Sequence, residues 1–286
     1  MILQDRGNQL VIIRQTDHAI LSGFFAREWG NELFKRPEPF DSVRLAAAEH
    51  DNGWTEWERH PQIDNATFLP YTFMSIPTSE HIEIYKRGID RIVQKDRYAG
   101  LLAAMHAVGL YDRSRATIPG FSAKYVKSNE SQLVADFVQR LRLQQLRLKV
   151  DLRADPAMKS FVEEKTMQIN AQRLEALDRL SLYFCLAPLA EQTIDAVPVD
   201  EQGAEADWEL RPQANNQADA QARNSVVLTP YPFRRDPLDI SILARRIPKQ
   251  RYANDFDLQN EIAAAPYFAL HFTLSATGAR ARAVAV

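Results

Sequence analysis

The chain has 286 residues, 45% hydrophobic and 25% charged, with a net charge of −2, a balance that suits a soluble globular protein with a sizeable core. That charge argues against nucleic-acid binding driven by phosphate neutralisation. The single cysteine, Cys185, excludes an intramolecular disulfide and fits a reducing cytoplasm.

No apolar run reaches the ~18 residues of a membrane span, and the N-terminus lacks a signal layout, so a cytoplasmic protein away from membranes is expected. Met1-Ile2-Leu3 and Leu10-Val11-Ile12-Ile13, joined through Asp5-Arg6-Gly7-Asn8, predict a β-hairpin over 1–15. Helices follow over about 17–29 with Thr16 as N-cap, 42–50 stopped near Gly53, 80–95, 97–111 and 131–150. Asp155-Pro156 predicts the start of one more long helix, running to about 186 ahead of Pro188. Residues 199–224 are rich in Ala, Gln, Asn, Asp and Glu, which predicts a flexible excursion over 191–224. Ser225-Val226-Val227-Leu228 and the alternating stretch 268–274 predict strands in a β-rich segment over 225–286. The expected architecture is mainly α: a helical domain over 16–190, with a small sheet made by the N-terminal hairpin and the C-terminal strands. An exposed sheet edge would allow a homodimer.

Helical phase points to the chemistry. His18 shares a face with Leu21, Ser22, Phe25 and Trp29, and His50 continues the stripe of Val43, Ala46 and Ala47. His106 aligns with Leu102 and Met105, while Asp178 aligns with Leu174, Ser181, Leu182 and Cys185. Four helices thus aim titratable groups at the core. A lone carboxylate there is costly to keep ionised, so Asp178 needs a cation, a hydrogen-bond partner or a proton. Adjacent helical residues point about 100° apart, so His50 and Asp51 can share one ion only beside a helix end.

His18, His50-Asp51 and Asp178 together resemble the H…HD…D signature of the HD-domain superfamily of metal-dependent phosphohydrolases, and His50-Asp51-Asn52-Gly53 resembles its HD-x-G form. As a whole the chain is also similar to an uncharacterised bacterial family of unknown function. The HD resemblance spans about 15–187 and implies an HD-like helical bundle. It implies that His18, His50, Asp51 and Asp178 ligate one divalent ion, with His81 a candidate for a second. His106 becomes a general acid, a substrate contact or a further ligand. Imidazoles and carboxylates together suit Mn, Fe, Zn, Co or Ni. The implied activity is hydrolysis of a phosphoester or similar small anion by a metal-activated water. Two alternatives stand beside it: a di-iron oxygenase, and a non-catalytic protein binding a ligand or partner on the same scaffold. Trp54 stands where nucleotide-hydrolysing members often carry Lys or Arg, which weakens a nucleotide substrate.

The aromatic cluster beginning at Trp54 is a candidate pocket wall, and Lys124 a candidate grip on an anion. Glu49, Glu56 and Glu58 read as solvated charges, and Asp17 as an acid favoured by the helix dipole. There is no P-loop, G-x-G-x-x-G, G-x-S-x-G or zinc-ribbon pattern.

Overall fold

A computed structural model describes residues 1–111, 131–213 and 224–276. Seven strands form one mixed sheet: β1 (Ile2–Asp5), β2 (Gln9–Ile13), β3 (Gln192–Pro198), β4 (Glu205–Pro212), β5 (Asn224–Thr229), β6 (Leu238–Pro248) and β7 (Tyr267–Ser275). Their order is β1-β2-β6-β7-β5-β4-β3, antiparallel except where β5 runs parallel to β7. Around it lie α1 (Gln15–Glu28), α2 (Phe40–Glu49), α3 (Trp54–Arg59), α4 (Thr78–Lys95), α5 (Arg97–Tyr111), α6 (Ser131–Ala154), α7 (Glu164–Cys185) and α8 (Asp255–Ala264).

This is an α/β fold, and it overturns the expectation of a mainly α, HD-like bundle with a minor sheet. The physical reason lies in β3, β4 and β6. In β4, Trp208 and Leu210 are buried while Asp207, Glu209 and Arg211 face outward. A strand buried on one face has polar average composition, so the eye for composition reads it as an excursion when its period of two is what matters. β6 alternates in the same way, burying Leu238, Ile240, Ile242 and Ala244. The expected excursion over 191–224 therefore carries two strands, and its remaining stretch, 214–223, lies outside the described residues.

Two helical expectations also change. The Asp155 side chain accepts from the Ala157 N–H at 2.9 Å, closing a local turn. A 3-10 turn at Lys159–Val162 follows, and α7 begins only at Glu164. At the N-terminus, Thr16 is not the cap of α1. The buried Glu58 of α3 accepts from the Gln15 N–H at 2.6 Å and from the Thr16 hydroxyl at 3.2 Å, so a distant carboxylate satisfies donors that a local cap would serve. Glu58 is thus no solvated charge.

Aromatic packing locks the far ends of α1 and α7 onto the sheet. Phe184 lies 6.0 Å from Phe25 and 5.2 Å from Phe272 between ring centroids, and Trp29 lies 5.5 Å from Trp208. Each such ring, fully buried, contributes roughly 1.5–3 kcal/mol. α1 also packs on α2 and α7, and α7 on α2 and α5. α1 and α2 approach closely: a Cβ on Gly23 would sit 2.4 Å from the Ala48 Cβ. Among the described residues, no helix is long and apolar enough to cross a membrane.

Candidate metal centre

His18 lies one turn into α1, His50 caps the end of α2, Asp51 begins the turn to α3, and Asp178 sits in the middle of α7. All four are buried, from 1% to 3% exposed. Donor atoms of His18, His50 and Asp51 lie within 4.8 Å of one another, and so do those of His50, His106 and Asp178. His18 Nε2 is 2.7 Å from Asp178 Oδ1, and His50 Nε2 is 3.3 Å from that oxygen and 3.8 Å from Asp51 Oδ2. Ligands held about 2.0–2.2 Å from one ion are themselves roughly 3–4 Å apart, so each triad has a spacing that could hold a cation.

Hydrogen bonds around the imidazoles fix their orientation. The Ser181 hydroxyl lies 2.7 Å from His18 Nδ1, 2.7 Å from the Ser22 hydroxyl and 2.9 Å from the Asp178 carbonyl, and so holds the His18 ring in place. His50 Nδ1–H donates to the Ala47 carbonyl at 2.9 Å. Both rings therefore turn Nε2 toward carboxylate oxygens, with His18 at hydrogen-bonding distance from Asp178. A carboxylate oxygen only accepts, so a ring proton or a metal ion stands between it and a facing Nε2. His50 Nε2 is buried and makes no hydrogen bond. On the other flank the Tyr85 hydroxyl donates to Asp51 Oδ1 at 2.8 Å and holds that carboxylate in place.

Electrostatics follow from this crowding. Burial pulls the His50 pKa down, but Asp51 and Asp178 outweigh it and push it up to about 9. Burial alone would raise the Asp178 pKa, yet the hydrogen bond from His18 and the adjacent His50 ring hold it well below the usual carboxylate range. His106 Nε2 is 3.8 Å from Asp178 Oδ2, and burial brings that ring down to about 4 despite the carboxylate. Burial and the Asp51 charge raise the Tyr85 hydroxyl well above its ordinary value.

The cluster borders a cavity of about 20 Å³ lined also by Gln15, Phe73, His81, Tyr85, Leu110 and Leu182, enough for one water or ion. His81, expected as a weak second ligand or an exposed first-turn residue, is buried and pairs through Nδ1 with the Tyr111 hydroxyl. Trp54 is fully buried with its ring 5.7 Å from His81, one layer behind the cavity wall. Lys124 lies outside the described residues. Asp17 pairs with Arg14 at 2.7 Å, Glu49 with Lys95 at 2.6 Å, and Glu56 with Arg91, all apart from the cluster. Cys185 is buried with its thiol pKa raised by that burial, so it is no thiolate nucleophile.

Gln15, Tyr85 and Ser181 escaped the expected site. Their signal was present: Gln15 continues the His18 stripe one turn back, Tyr85 follows His81 by four, and Ser181 follows Asp178 by three.

A mixed sheet packed by helices around a buried His–Asp cluster defines an α/β protein with a candidate metal centre. The chain belongs to the family described as "Protein of unknown function (DUF3891)", whose model matches residues 1–249. That agrees with an uncharacterised family and gives no support to membership of the HD superfamily. No curated protein and no solved structure matches the chain.

Proposed function

We propose that this chain is a metal-dependent hydrolase whose centre is built from His18, His50, Asp51 and Asp178, acting on a phosphoester or similar small anion. One observation supports the reading: Nε2 of His18 and Nε2 of His50 converge on one buried oxygen of Asp178, at 2.7 and 3.3 Å, with His50 Nε2 left without a hydrogen bond. The donor set suits Mn, Fe, Zn, Co or Ni. Such an ion would lower the pKa of a bound water and polarise an ester oxygen.

The chain's own residues supply the rest. Ser181 and the Ala47 carbonyl fix the two rings, and Tyr85 orients Asp51. His106 is held neutral at physiological pH, so it suits accepting a proton from a nearby water better than giving one. Among the described residues lining the cavity there is no Lys or Arg, so an anion would be neutralised by the centre itself. The resemblance of His18, His50-Asp51 and Asp178 to the HD signature is kept as a likeness of donor sets on a different fold. The test is release of phosphate from a panel of phosphomonoesters and diesters by metal-loaded protein. Turnover abolished by chelator and by Asp178→Asn supports the reading, and no turnover with any loaded metal contradicts it.

A dinuclear oxygenase is the second reading, favoured by the two overlapping donor triads and by Asp178, which offers Oδ1 to His18 and His50 and Oδ2 to His106. Iron at about two equivalents with oxygen consumption would select it. A chain that takes up no metal would favour the third reading, a non-catalytic protein binding a ligand or partner.

A further inference from the structure

Gln15 opens α1 one turn ahead of His18, so the two side chains share a face. Its backbone N–H is fixed by Glu58, and the residue is only 4% exposed. Its side-chain oxygen Oε1 is nevertheless buried without a hydrogen bond. Among the buried unpartnered side-chain atoms of the described residues, this one alone belongs to a residue lining the cavity beside the cluster. An unpaired buried amide costs about 1–3 kcal/mol, whereas a leucine of similar size would pack there without that penalty. The cavity, at about 20 Å³, exceeds the ~10–15 Å³ that one water needs, and a small molecule held there needs two or more polar partners.

We infer that the Gln15 carboxamide hydrogen-bonds a small ligand seated in this cavity against His18, Asp51 and Asp178, its Oε1 accepting from a water or, with the amide turned over, its Nε2–H donating to a small anion. The inference rests on the metal-centre reading and adds the contact that orients what the centre binds. A neutral amide in place of Lys or Arg suits a ligand that is uncharged or singly charged.

The experiment uses the full chain loaded with cobalt(II), with azide as the probe and the visible spectrum as the readout, comparing wild type with Gln15→Leu. Equal cobalt content in both, with azide bound about fivefold or more weakly by the variant, supports the inference; that factor corresponds to one ordinary hydrogen bond. A melting temperature of the metal-free variant equal to or above wild type adds support, because a purely structural glutamine would lower it when removed. Equal azide affinity in two cobalt-loaded proteins, or wild type that holds cobalt but no azide, overturns the role of Gln15 and leaves the metal centre standing. Loss of cobalt or of stability in the variant alone makes Gln15 structural and likewise overturns it. Wild type that takes up no cobalt overturns the metal centre and this inference together.

Discussion

At His50 a proton and a metal compete for one lone pair. The imidazole is held charged by Asp51 and Asp178 up to a pKa of about 9, against about 6.5 in an unfolded chain. Its contribution to the stability of the metal-free protein is therefore complete below about pH 6.5 and is lost as the pH rises through 9. His106 works in the opposite sense. Its folded pKa of about 4 keeps it neutral while the unfolded chain takes up the proton, so stability falls as the pH drops from 6.5 toward 4. The metal-free melting temperature should peak between these limits, and His50→Gln should flatten the alkaline limb; thermal melts from pH 5 to 9 read both. Metal binding must expel the His50 proton, so affinity should climb with pH up to about 9, with about one proton released per ion by calorimetry in two buffers. A titration with no proton release would show that His50 is not a ligand. Tyr85→Phe removes the bond that holds Asp51 and should weaken metal affinity about tenfold or more without unfolding the chain.

Helix ends and close approaches set where these residues stand. Glu58→Gln weakens the cap that begins α1 and should cost about 1 kcal/mol, read as a lower denaturation midpoint. Gly53, in the turn after Asp51, has ordinary helical backbone angles and is there for space: a Cβ would meet the Ile84 carbonyl oxygen of α4 at 2.0 Å. Gly53→Ala should therefore destabilise by about 1–3 kcal/mol through overpacking and displace Asp51 from its neighbours. Helices α1, α2, α4 and α5 were legible because their apolar stripes recur at helical spacing, and His18, His50, His106 and Asp178 stood out as polar residues on those stripes. The cap from Glu58 was not legible, since it joins residues 43 positions apart. Nor were β3 and β4, whose inward residues are hidden among outward polar ones when composition is averaged.

Across the whole molecule, the sheet and the centre divide the labour. β6 and β7 lie near the middle of the sheet, and β7 falls beyond the residues matched by the family model, although it pairs with both β6 and β5. The sheet face holds Phe184 and Phe25, and through them fixes α7 against α1. That packing brings Asp178 and His18, 160 residues apart, to within a hydrogen bond. Long-range pairing of this kind depends on tertiary packing and leaves no local trace in the chain. The most direct measurement is elemental analysis of protein purified without added chelator and then reloaded with Mn, Fe, Zn, Co or Ni. About one or two equivalents of a transition ion, retained through gel filtration and lost in both His50→Ala and Asp178→Ala, is the predicted result. Wild-type protein that stays free of metal under every loading condition would contradict the account.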